Sequence, residues 1–276
     1  HEMFPTCGGT CADSNRDPDF WVRTNAEREV DSSNAWVVWS ERLGAGGFSS
    51  ILIDSLEVTT VGRLASPAVL LSTNPAEVAA HVTDCTALRS PSLVGRPDGG
   101  LWLFYVCEHG GLPGDVRAAD VNATSGALEA RRPDPVLVPG MAPYARLGIQ
   151  DVDAEIWVRS AGTINEEIVL RLWFVSRSGG LPVVRLAEGV SHATDGMPGV
   201  VPAALPELEM FAGNPVLLSN DERLPACAGL CRVTSVTAGR MAVERNVRFL
   251  VALTDEAAAG TRHILVPLEQ TLPVRR

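Results

Sequence analysis

Two stretches place acids at alternate positions ahead of an apolar residue, Trp, Val and Arg. They are "DPDFWVR" at 17–23 and "DAEIWVR" at 153–159. Side chains alternate between faces along a strand, so Asp17, Asp19 and Trp21 share one face, as do Asp153, Glu155 and Trp157. Carboxyl groups drawn together from different strands can divide acid and base work between them. These four acids are the candidate catalytic residues, and the two tryptophans are candidate ligand-binding platforms.

A third copy, "SPSLVGR" at 90–96, carries Ser90 and Ser92 where the acids stood. A fourth, around "CRVTSVT", is barely recognisable and offers no acid. A missing carboxylate would have to come from a loop, such as Glu108 in "CEHGG". Acids at strand starts also serve as turn residues or as caps for free backbone amides. Arg23, Arg96 and Arg159, which close the three motifs, could pair with those acids across neighbouring units. A structural staple explains recurrence better than an active site does. Asp151, Asp153 and Glu155 also spell D-x-D-x-E, which admits calcium but lacks the Gly and terminal Glu of the EF-hand loop. No other cofactor is expected, and the five histidines show no ligand spacing.

Six cysteines form an even set: Cys7 and Cys11 in "CGGTC", Cys227 and Cys231 in "CAGLC", and Cys85 and Cys107 apart. Two short loops could close on themselves while Cys85 and Cys107 join neighbouring strands. Sequence does not choose among the pairings. A four-cysteine zinc site is the rival, although its usual spacing is two residues rather than three. Disulfides imply an oxidising compartment: extracellular, cell-surface or periplasmic.

Three markers recur in one order. The acid motif comes first, then an apolar and aromatic run ("WVVWS", "LWLFYVC", "LRLWFVS", "RFLVALT"), then a Pro-Val-Leu-like run at 67–70, 135–137 and 215–217. "QTLPV" is a poor fourth copy of the last. Gly, Pro, Asp and Ser separate the runs, as turns separate strands. "PDGG" at 97–100 predicts a tight hairpin. Helical periodicity is scarce: "NPAEVAAHVTDC" at 74–85 predicts one or two turns, and "LTDEAAAGT" a hairpin loop. A repeated unit of about four strands is the sequence form of a propeller blade. The aromatic runs suit second strands buried on both faces. A β-sandwich is the rival, but it has no need of fixed marker order.

On "SPSLVGRPDGGLWLFYV", on "DAEIWVRSAG" with "LRLWFVS", and on "AGNPVLLS", the chain resembles the five-bladed β-propeller glycosidases, which include arabinanases, β-xylosidases and invertases. The resemblance covers the chain from about Asp17 onward as a repeated pattern, divergent and incomplete. It implies an all-β propeller with four recognisable blades, 17–75, 86–140, 150–220 and 227–276, of an expected five-bladed ring. A disulfide-containing segment, 1–16, precedes them. It further implies carboxyl groups at the inner strands of different blades, one to protonate the leaving oxygen and one to attack or to activate water. The tryptophans would then stack on sugar rings.

The net charge of −10 argues against nucleic acid, whose phosphates attract basic surfaces. No apolar run approaches the roughly 20 residues of a transmembrane helix. The chain opens at His1 without an initiator Met, as a processed product or a fragment would. "NAT" at Asn122 is a glycosylation sequon in a host with that machinery. The Pro- and Gly-rich stretch 187–209 predicts a long insertion able to shape a binding surface. The expectation is an exported, non-catalytic module that binds a glycan or a protein partner, within a larger assembly of domains or chains. The alternative is a glycoside hydrolase.

Overall fold

The computed structural model describes residues 15–24, 30–42, 47–55, 67–110, 112–132, 134–136, 148–160, 163, 165–177, 181–192, 204–210, 217–224, 229–238, 246–257 and 260–272. The side chains of 15–18, 20, 22–24, 30–34, 112, 113, 210, 257, 260 and 261 are excepted. The chain forms two compact units, His1–Leu112 with Val116–Pro135, and Pro113–Asp115 with Val136–Arg276. No α-helix occurs among the described residues.

In the first unit one sheet runs in the order β1 (Asn15–Thr24), β2 (Val30–Arg42), β3 (Ser49–Ser55), β4 (Ala68–Ser72). A second runs β5 (Ala87–Gly95), β6 (Leu101–His109), β7 (Leu112–Val121), β8 (Leu128–Arg132). Each strand follows its neighbour in sequence and is antiparallel wherever its register is defined, which is the meander of a blade. β5 lies over β1, β2 and β3. The core between them holds Val38, Ile51, Leu71, Leu93, Leu103 and Tyr105.

In the second unit the third sheet is built on β9 (Gly148–Arg159), β10 (Glu167–Arg177) and β11 (Pro182–His192). Two short strands, β12 (Glu209–Met210) and β13 (Leu217–Leu218), pair with different parts of β11. The fourth sheet has three strands: β14 (Leu230–Ala238), β15 (Asn246–Ala257) and β16 (Gly260–Thr271). β14 lies over β9, β10 and β11 as β5 lies over its own predecessors. Trp173 stacks on Phe249 across this contact at 4.9 Å between ring centroids.

The expected hairpin at "PDGG" forms. Arg96 N donates to Gly100 O at 2.8 Å, and Gly99 supplies a φ of +88°. Other expectations need correction. Residues 74–85 hold hydrogen-bonded turns, Ala80 N to Glu77 O among them, because Cys85 and the pairing of Ser72 with His81 tie the segment down. Residues 187–192 finish β11, since Ala187, Glu188 and Gly189 pair directly with β10 and β10 needs an outer partner along its length. "RFLVALT" lies in β15, which is buried on one face only, unlike β6 and β10. "LTDEAAAGT" is a hairpin, but pairing continues to Ala257 and Gly260, so its first residues are strand.

Candidate functional site

A register shift, a β-bulge, interrupts every first strand: between Arg16 and Asp19, Arg89 and Ser92, Ile149 and Asp151, and Val233 and Ser235. Bulges re-aim the residues beside them. Asp19, the first paired residue beyond the bulge in β1, reaches across to β5. Its Oδ2 accepts from Leu93 N at 2.7 Å and from Ser92 Oγ at 3.1 Å. In the second unit Asp151 Oδ2 accepts from Val236 N of β14 at 2.7 Å. Asp153 Oδ2 does the same for Ala238 N at 2.6 Å. Each carboxylate thus satisfies amides of the next sheet's first strand, and each bond is charge-assisted.

Counted from the bulges, Asp151 rather than Asp153 takes the place of Asp19. Trp21 lies two residues beyond its acid and packs beside Gly95 of β5, where an added Cβ would come within 3.4 Å of Trp21 Nε1. Trp157 lies six residues beyond Asp151. The two tryptophans are therefore not equivalent, and the visible likeness of the two motifs is shifted from the structural repeat.

Glu155 has different company. It stands directly opposite Arg171 in β10, which stands opposite Glu188 in β11. All three are buried: Glu155 is 9% exposed, Arg171 1% and Glu188 2%. Arg171 Nε donates to Glu188 Oε2 at 2.8 Å, and its Nη1 lies 3.5 Å from Glu155 Oε1. Trp173 Nε1 donates to that same oxygen at 3.2 Å. Burial pushes the Glu155 carboxyl above its usual range, against the opposing pull of Arg171 and the Trp173 bond. Trp157, half-buried, has Arg159 and Arg171 guanidinium carbons each 5.1 Å from its ring centroid.

Of the motif-closing arginines, Arg96 and Arg159 pair with acids of their own sheets, and the side chain of Arg23 lies outside the described residues. Arg96 pairs with Asp98, Asp120 and Glu129, and Arg159 with Glu167 at 2.7 Å, an acid also 3.3 Å from His192. Across the sheets, backbone amides bond to Asp19, Asp151 and Asp153. Ser90 lies in the β5 bulge at φ 45°, and Glu108 pairs with Arg89 at 2.8 Å. Cys85 and Cys107 form a disulfide, and Cys231 is also disulfide-bonded. Cys7, Cys11 and Cys227 lie outside the described residues, as does the side chain of Asp17. Sequence reasoning missed Arg171 and Glu188. The signal was a charged residue at the centre of two apolar strands, "LRLWFV" and "VVRLAEGV".

No protein-family model and no curated protein sequence matches the chain. Among solved structures it is similar to an endo-arabinase from Bacteroides thetaiotaomicron, with 12% identity and a TM-score of 0.51 over 99% of this chain and 80% of that one. That overlap establishes the fold: the chain is a β-propeller, divergent in sequence from the propeller glycosidases. Two weaker likenesses carry no argument of their own. One is an α-L-arabinofuranosidase from Clostridium thermocellum, at 11% identity and TM-score 0.44 over 93% and 69% of the two chains. The other is a family-43 glycoside hydrolase protein from Bacillus licheniformis, at 11% and 0.49 over 91% and 40%. Among the described residues no helix is long and apolar enough to cross a membrane.

Proposed function

We propose that this chain is an exported, non-catalytic propeller module that binds carbohydrate, or a protein partner, on a surface or in a secreted assembly. One observation carries the reading. Every candidate carboxylate with a described side chain is engaged: Asp19 and Asp153 by backbone amides of the neighbouring sheet, Glu155 by Arg171 and Trp173. A carboxylate that must attack or take a proton needs access to substrate. The glycan preference rests on the shared fold with an endo-arabinase and on Trp157, which is half-buried in β9. Export is supported by the disulfides.

Hydrolysis is the second reading, favoured by the raised pKa of Glu155, which is how a general acid is held protonated. The test is a panel of arabinan, xylan and aryl glycosides, scored for released reducing ends and, in parallel, for binding by affinity electrophoresis. Retardation without new reducing ends is expected, weakened in Trp157→Ala. Hydrolysis that disappears in Glu155→Gln with the melting temperature intact would replace this reading with the second.

A further inference from the structure

The disulfide of the first unit has a histidine beside it. Cys107 and His109 stand two residues apart at the end of β6, so their side chains leave the same face of the strand. His109 Nε2 lies 3.8 Å from Cys107 Sγ. The other ring nitrogen, Nδ1, lies 2.9 Å from the carbonyl oxygen of Asp84. A carbonyl oxygen only accepts, so Nδ1 carries the proton of the neutral ring and Nε2 keeps a lone pair on the side of the sulfur. Asp84 directly precedes Cys85, and its carboxylate is held by Arg117 Nη1 at 2.5 Å. On the other side of Cys85, Thr86 N donates to Glu108 O at 2.6 Å. Backbone bonding therefore holds residue 85 beside β6 independently of the sulfur bridge.

Two thiols and an imidazole are ligands that zinc prefers, and three of them leave its fourth position to water. The spacing fits. A sulfur about 2.3 Å and a nitrogen about 2.1 Å from one zinc stand about 3.6 Å apart at a tetrahedral angle. The observed separation is 3.8 Å. A metal-binding imidazole ordinarily gives its second N–H to a carbonyl or carboxylate, as His109 already does to Asp84. The bond between the sulfurs is what closes the site, because the ligand is a thiolate. An external dithiol breaks that bond by thiol–disulfide exchange. The dithiol is oxidised to its own disulfide, and its two electrons and two protons pass to Cys85 and Cys107. Zinc then takes both sulfurs as thiolates and sends those two protons to solvent. The Cα atoms are 5.3 Å apart, so rotation about the Cα–Cβ bonds can part the sulfurs to the roughly 3.8 Å of a zinc dithiolate.

We propose that Cys85, Cys107 and His109 form a zinc site when the Cys85–Cys107 disulfide is reduced, so that the metal replaces the covalent tie between residue 85 and β6. The test uses the full chain, reduced with excess dithiol, freed of it without air, and titrated with zinc or cobalt(II). Reduced Cys85→Ser/Cys107→Ser controls for the four other cysteines. Reduced wild type is expected to bind one ion per chain more than this variant, and its cobalt form to add thiolate charge-transfer absorption. The oxidised chain should bind no more than the oxidised variant. His109→Ala, checked for folding by circular dichroism, should weaken the extra ion about a hundredfold. Zinc should also raise the melting temperature of reduced wild type more than that of the reduced variant. Equal metal counts in the two reduced proteins overturn the proposal. So does undiminished affinity in folded His109→Ala, an extra ion on the oxidised chain, or a reduced chain that unfolds and that zinc does not restore.

Discussion

Asp19 is the clearest case of a residue whose type suggests chemistry and whose geometry supplies cohesion. Its carboxylate satisfies Leu93 N and Ser92 Oγ at a contact between sheets. Replacing it by alanine removes a charge-assisted acceptor and strands a partly buried amide. Asp19→Ala is therefore expected to cost about 2–3 kcal/mol in urea unfolding, and Asp19→Asn less, since the amide oxygen still accepts. Glu155 behaves oppositely. Its folded pKa is raised, so ionising it works against the fold. The stability it contributes is full below the ordinary glutamate range and is lost as pH rises through the folded value. Arg171 keeps Glu188 as a partner at 2.8 Å either way. Glu155→Gln should thus match wild type in acid, gain on it as pH rises through the folded value and keep a constant advantage above that, read as the difference in melting temperature across a pH series. A mutant that loses stability evenly at all pH values would contradict this account.

At the scale of elements, the turn between β7 and β8 shows how one sheet positions the next. Trp36 Nε1 of β2 donates to Ala123 O at 2.8 Å, which holds the indole against the turn. Gly126 sits there at φ +66°, and an added Cβ would lie 2.6 Å from the Trp36 ring. Gly126→Ala therefore meets both an unfavourable backbone and a fixed ring. It is expected to lower stability by about 1–3 kcal/mol, measurable as a shift in the urea midpoint. The strands themselves were readable in sequence, because apolar runs between Gly- and Pro-rich turns have few other uses. The bulges were not. One extra residue changes which acid faces the neighbouring sheet, and no periodicity marks it. That is why "DAEIWVR" aligns by eye with "DPDFWVR" while the structural equivalent of Asp19 is Asp151.

For the whole molecule, the disulfide fixes the long connection between the first two sheets of the first unit. Cys85 and Cys107 close a loop of sequence separation 22. The double substitution to serine is expected to cost about 3 kcal/mol by loop-closure entropy, seen as a lower melting temperature that reductant no longer affects through this bond. Sequence by itself determined that the protein is all-β and that its strands come in repeated groups. These properties are local or additive: turn chemistry, alternation and composition act within a few residues. Tertiary structure alone decided which groups the described acids meet. Whether a carboxylate meets an amide, an arginine or solvent depends on strands more than 70 residues away, as Asp19 and Leu93 or Asp153 and Ala238 show.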